Sequence, residues 1–132
     1  MKIGIDFHGV ITDDSDFWLE RLKEWDSFGH DIHLMTGARW QTFIDECCTL
    51  GYKVPYTTFF SISDFILKHY PDKVNIDNPD HPHIEDKKLW DRAKAEYARY
   101  HNLDLVIEDT ESYIKYFTTP VMLYKSNRKK TT

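Results

Sequence analysis

The sequence is short of several things, and each shortage closes off a class of protein. It has two cysteines, Cys47 and Cys48, adjacent in the chain. Sequence neighbours do not form a structural disulfide, so a disulfide-stapled scaffold is excluded and a reduced protein is expected. No apolar run is long enough to span a bilayer, and no charged-then-apolar signal segment opens the chain. The expected location is therefore cytoplasmic, with no membrane partner. Basic residues are outnumbered, 17 Lys and Arg against 22 Asp and Glu, for a net charge of −5. A nucleic-acid-binding surface would need Lys and Arg clustered on one face. The one basic cluster, Arg128, Lys129 and Lys130, falls in residues 125–132, where a frayed, solvated tail is expected. Internal repeats and low-complexity segments are also missing.

What is present is the material of one domain, expected over residues 1–124. A chain of 132 residues can bury a real core. An aromatic content of 15%, with four Trp, eight Tyr and eight Phe, suits large-residue packing between few layers. Short β-branched and aromatic runs alternate with helix-period segments. "KIGIDF" reads as a buried strand, and the segment after it as a helix with Trp18, Leu22 and Trp25 on one face, ended by Gly29. "DIHLMTG" is a second strand. The next helix sets Trp40, Phe43 or Ile44, Cys47 and Leu50 on one side, with Gly51 as terminator. "TTFFSI" follows as a strand and "SDFILKHY" as a short helix stopped by Pro71. A Pro- and Asp-rich loop, with an extended piece near Val74, leads to the longest helix, carrying Leu89, Ala93, Tyr97 and Tyr100. "LDLVIED", a short helix and "PVMLY" complete the chain. Strands alternating with helices predict a parallel, doubly wound α/β sheet in three layers.

In such sheets ligands sit beyond the carboxyl ends of the strands. The first strand ends in Asp6, with His8 two residues on; the second ends in Thr36 and Gly37, followed by Arg39; the "LVIED" strand ends in Glu108 and Asp109. The helix before that strand returns to the same rim and carries Lys87 and Lys88 in its first turn. Three crowded carboxylates repel unless a hard divalent cation neutralises them, and Mg²⁺, with its preference for oxygen ligands, suits them. A hydroxyl and an amine beside such an ion supply donors for a phosphate, and one carboxylate could attack phosphorus.

"IGIDFHGVIT", "IHLMTG" and "LVIEDT" together resemble the first, second and fourth motifs of the haloacid dehalogenase (HAD) superfamily, over residues 2 to about 124. The resemblance implies a Mg²⁺-dependent phosphomonoester hydrolase with Asp6 as the nucleophile that forms an aspartyl-phosphate. It implies that Asp6, the backbone carbonyl of His8, and Asp109 hold Mg²⁺, with Glu108 beside them. Thr36 would bind phosphoryl oxygens, with Gly37, Arg39 and Lys87 as further substrate contacts. Lys88 is the expected third-motif lysine, with Lys87 and Lys94 as alternatives. His8 stands where most family phosphatases carry a second Asp; imidazole can serve as general acid and base there. The alternative is a catalytically impaired binding or regulatory module that keeps the fold. The spacing between motifs leaves room for no cap domain or only a minimal one, so an open site is expected. Its substrate would be a nucleotide, a nucleic-acid end or another phosphomonoester, with a second copy of the chain as a candidate lid.

Several residues have plainer readings. Asp13 and Asp14 read as helix caps, and Trp18, Trp25, Trp40 and Trp90 as core. "DHPHIED", with His81, His83, Glu85 and Asp86, lacks a second ligand pair at helical spacing and reads as a solvated loop rather than a zinc site.

Overall fold

The computed structural model describes residues 1–75, 83–84 and 86–126. Five strands form one all-parallel sheet: β1 (Lys2–Asp6), β2 (Asp31–Thr36), β3 (Thr58–Ser61), β6 (Leu105–Glu108) and β7 (Val121–Leu123), in the order β3-β2-β1-β6-β7. Val74–Asn75 (β4) and His83–Ile84 (β5) make a separate two-stranded antiparallel hairpin. The helices are α1 (Ser15–Ser27), α2 (Trp40–Leu50), α3 (Ile62–His69), α4 (Lys87–Tyr100) and the short α5 (Glu111–Ile114). This is the predicted α/β architecture, Rossmann-like and doubly wound.

Strand alternation sorts the core into two halves. Ile3 and Ile5 of β1 and Ile32 and Leu34 of β2 pack with Trp18, Leu22 and Phe43, so α1 and α2 cover that face. Met35 of β2 and Val106 of β6 pack with Ile62, Ile66, Leu89, Ala93 and Ala98, so α3 and α4 cover the other. Gly4 faces this second half, where a Cβ would stand 2.6 Å from Met35 Sδ and 3.0 Å from Leu103 Cδ1. Asp6 has the parity of Gly4, and Glu108 the parity of Val106. Both carboxylates therefore come off the sheet on the side of α4.

Two helix ends meet the expected signals: Gly29 after α1 has φ 79° and Gly51 after α2 has φ 71°. At the start of α3, Ser61 Oγ accepts from Asp64 N, a cap the sequence reading did not assign. At α1 the reading is corrected. Asp14 occupies the N-cap position but makes no cap bond. Its carboxylate accepts from Tyr124 Oη, and Asp13 Oδ2 accepts from Ser126 Oγ at 2.8 Å, so both acids tie the loop before α1 to the chain after β7.

The core assignments need correction too. Trp18 is buried and Trp25 and Trp90 are partly so, but Trp40 is 46% exposed at the first position of α2. Leu50 and Tyr100 are the last residues of their helices and are exposed, Tyr100 at 82%. No helix among the described residues is long and apolar enough to cross a membrane.

Candidate active site

The chain runs from β1 outward to β2 and β3, then returns to the other side of β1 with β6 and β7. The sheet order reverses between β1 and β6, and at such a switch point the flanking loops diverge and leave a crevice. A cavity of about 540 Å³ opens there, lined by Asp6, His8, Lys94, Glu108 and Asp109 among others.

Asp6, Glu108 and Asp109 each bring a carboxylate oxygen within 4.8 Å of the others. Lys94 sits between two of them, its Nζ donating to Asp6 Oδ1 at 2.8 Å and to Glu108 Oε2 at 2.7 Å. The other Glu108 oxygen, Oε1, accepts from the backbone N–H of Asp109 at 3.1 Å and of Thr110 at 3.3 Å. Glu108 is thus bound on both sides and orients the turn that carries Asp109.

Burial pushes the carboxyl of Asp6 well above its usual range; Lys94 opposes this, while the charge of Glu108 and a hydrogen bond with Asp109 add to it. Burial would lower Lys94, but the charges and hydrogen bonds of Asp6 and Glu108 outweigh it and hold the ammonium firmly protonated. The three acids offer hard oxygen donors from two adjacent strand ends. Asp6, Asp109 and Glu108 could together hold a metal ion, and carboxylate oxygens of this kind suit a hard divalent cation.

The lysine at this site is not the one expected from spacing. Lys87 and Lys88 are exposed in the first turn of α4, which Asp86 caps by accepting from Leu89 N at 3.0 Å. Lys94 lies about two turns further in, only 2% exposed. It is flanked by Ala93 and Ala95, both buried. Trp90, one turn earlier, covers Gly37: a Cβ on Gly37 would stand 2.8 Å from Trp90 Cζ2. Trp90 Nε1 donates to Tyr113 Oη at 2.7 Å, and these two rings wall one side of the cavity.

His8 follows β1 in a tight turn, Phe7–Ile11, whose bend at Gly9 (φ 84°) only a glycine adopts without strain. Its Nε2 lies 2.8 and 3.0 Å from the two carboxylate oxygens of Glu46 on α2. Thr36 is fully buried, and its Oγ1 accepts from Ala38 N at 3.3 Å. Gly37 lines the cavity and its carbonyl accepts from Ser63 Oγ at 2.5 Å. Arg39 turns to α3, donating from Nε to Asp64 Oδ1 at 3.0 Å. The structure thus brings together Asp6, His8, Gly37, Glu108 and Asp109, and leaves Lys87 and Lys88 outside the acid cluster. His81, Glu85, the side chain of His83, and the basic residues Arg128, Lys129 and Lys130 lie outside the described residues.

Lys94, Glu46, Trp90 and Tyr113 are the site residues that motif reading passed over or ranked behind others. For Lys94 a weak signal existed: a lysine between two alanines, beside the apolar stripe of a long helix.

No family model matches the chain, and neither a curated protein nor a solved structure does.

Proposed function

We propose that the chain is a Mg²⁺-dependent phosphomonoester hydrolase of the HAD type, working through an aspartyl-phosphate on Asp6. The observation that carries this is the Lys94 ammonium bridging Asp6 and Glu108, with Asp109 alongside, at the strand ends where the sheet order reverses. Asp6, Asp109, Glu108 and the carbonyl of His8 would hold the ion. When bound, it supplies charge neutralisation for the carboxylates and for the phosphoryl oxygens.

The residues of the chain then divide the work. Lys94 holds Asp6 through Oδ1, fixing the carboxylate that attacks phosphorus. As the new bond from Asp6 to phosphorus forms, the bond to the ester oxygen breaks, and His8 gives that oxygen a proton. Water then attacks the same phosphorus, His8 takes its proton, and the Asp6 oxygen leaves, restoring the carboxylate and releasing phosphate. The substrate would be a nucleotide, a nucleic-acid end or another phosphomonoester. A cavity that is open above the acid cluster suits each of these.

The test is hydrolysis of a chromogenic phosphate ester with and without Mg²⁺. The wild type should turn over only with the metal, and Asp6→Asn should lose activity by about 10³-fold or more, as removal of a nucleophile does. A wild type that binds Mg²⁺ without turnover, beside a His8→Asp variant that turns over, would transfer the assignment to a binding module with its acid–base group retired.

A further inference from the structure

We infer that Glu46 is a positioning residue for His8, fixing the orientation and tautomer of its imidazole beside Asp6. The inference rests on the hydrolase reading above, in which His8 serves the ester oxygen and then the water. Glu46 presents both carboxylate oxygens to Nε2, at 2.8 and 3.0 Å. A carboxylate offers acceptors only, so Nε2 carries a hydrogen throughout, and Nδ1 is the nitrogen that gives its proton to the ester oxygen, leaving the neutral Nε2–H ring that then takes a proton from water.

The same helix steadies the ring from a second direction. Phe43, one turn before Glu46 on α2, packs edge-on against Phe7 with ring centroids 4.9 Å apart. Phe7 in turn meets the His8 ring edge-on, also at 4.9 Å. Thus α2 supplies both the hydrogen-bond partner of the imidazole and the support for its aromatic neighbour. Without them, His8 would be an exposed ring beside a glycine bend, with several rotamers open to it. An exposed ion pair of this kind adds little to folding. The consequence of the contact therefore falls on geometry: one ring nitrogen is committed to Glu46, and the ring belongs to a residue that lines the same cavity as Asp6 and Glu46.

The experiment compares wild type, Glu46→Ala, Glu46→Gln, His8→Asn and the His8→Asn/Glu46→Ala double variant, all with Mg²⁺. Two probes are used, an aryl phosphate with a good leaving group and an alkyl phosphate with a poor one. Protonation matters most for the poor leaving group, so Glu46→Ala should lower kcat about 10-fold on the alkyl ester and clearly less on the aryl ester, with KM little changed. Gln, which keeps an acceptor, should restore most of the loss. In the His8→Asn background the Ala change should cost nothing more, because its only route of action is gone. Independently, the ¹⁵N spectrum of the His8 imidazole should report one tautomer, protonated at Nε2, in the wild type and a mixture in Glu46→Ala. Wild-type rates from Glu46→Ala on the alkyl ester, an equal loss with and without His8, or an unchanged imidazole spectrum would overturn the inference. A wild type inactive on both esters would sink the hydrolase reading instead, while the imidazole spectrum would still decide whether Glu46 orients the ring.

Discussion

Lys94 decides how three acids can share one rim. Its ammonium is buried between Asp6 and Glu108, and removing it would leave two carboxylates facing each other with no cation between them. Breaking a buried ion pair from one side costs about 3–5 kcal/mol, much of it the uncompensated charge left behind. Lys94→Met should therefore lower the unfolding free energy by about 3 kcal/mol in urea titrations without divalent cations. Mg²⁺ should recover part of that loss and stabilise the variant more than it stabilises the wild type, since the ion replaces the missing charge. A loss below about 1 kcal/mol, or equal stabilisation by Mg²⁺ in both proteins, would count against this account of the site. The acids themselves were legible in the sequence, because each ends a short apolar run and strand ends are where ligands gather. Lys94 was harder to rank. Its helix showed an apolar stripe through Leu89, Ala93 and Tyr97, and a lysine beside that stripe looks like a solvated residue until the carboxylates across from it are known. Glu46 was invisible for a related reason. It lies 38 residues from His8, and only the packing of α2 on the first face of the sheet brings them together.

At the scale of elements, the alternation of β1 does the sorting. Ile3 and Ile5 face α1 and α2, while Gly4 and Asp6 face α4. Gly4 is small because Met35, Leu103 and Val106 close over it, with a Cβ meeting Met35 Sδ at 2.6 Å. Gly4→Ala should destabilise the protein by about 1–3 kcal/mol, the usual cost of overpacking, read as a lower urea midpoint with an unchanged slope. The slope is the informative part: an unchanged value means that the same surface is still exposed on unfolding, so only the packing has changed. A wild-type midpoint would mean that Met35 and Leu103 move aside without cost. Element order and the parallel sheet followed from strand and helix periods and from Gly29, Gly51 and Pro71 as punctuation. What periodicity could not supply was the reach of each helix over the sheet. Trp40 opens α2 and Tyr100 closes α4, and both are exposed among the described residues although each continues an apolar stripe. Hydrophobic period marks a face; it does not say where the covering layer stops.

For the whole molecule, a second buried polar cluster makes stability depend on pH. His33 of β2 is buried on the α4 face, with Nδ1 hydrogen-bonded to Tyr97 Oη at 2.7 Å and the His101 ring 5.9 Å away. Burial lowers the pKa of His33 from its ordinary 6.5; the neighbouring His101 and Lys2 lower it further, and Asp31 opposes them. The folded protein therefore holds His33 neutral at pH values where the unfolded chain already binds a proton. Unfolding takes up a proton in that window, so stability is fully present above about pH 6.5 and falls as pH drops toward the folded pKa. Asp6 works in the opposite sense: its raised pKa means that the folded state gains, relative to the unfolded chain, as pH falls. A single pH–stability curve would mix the two, so the expected outcome is a difference. In urea unfolding from pH 7.5 to 5.5, the advantage of wild type over His33→Gln should be largest at the upper end and shrink as the solution is acidified. Glutamine keeps a polar group for Tyr97 but has nothing to titrate, so the shrinking gap isolates the proton on His33. A gap that stays constant across this range would mean that His33 binds its proton equally well folded and unfolded, and that burial on this face of the sheet exerts no pull on its charge.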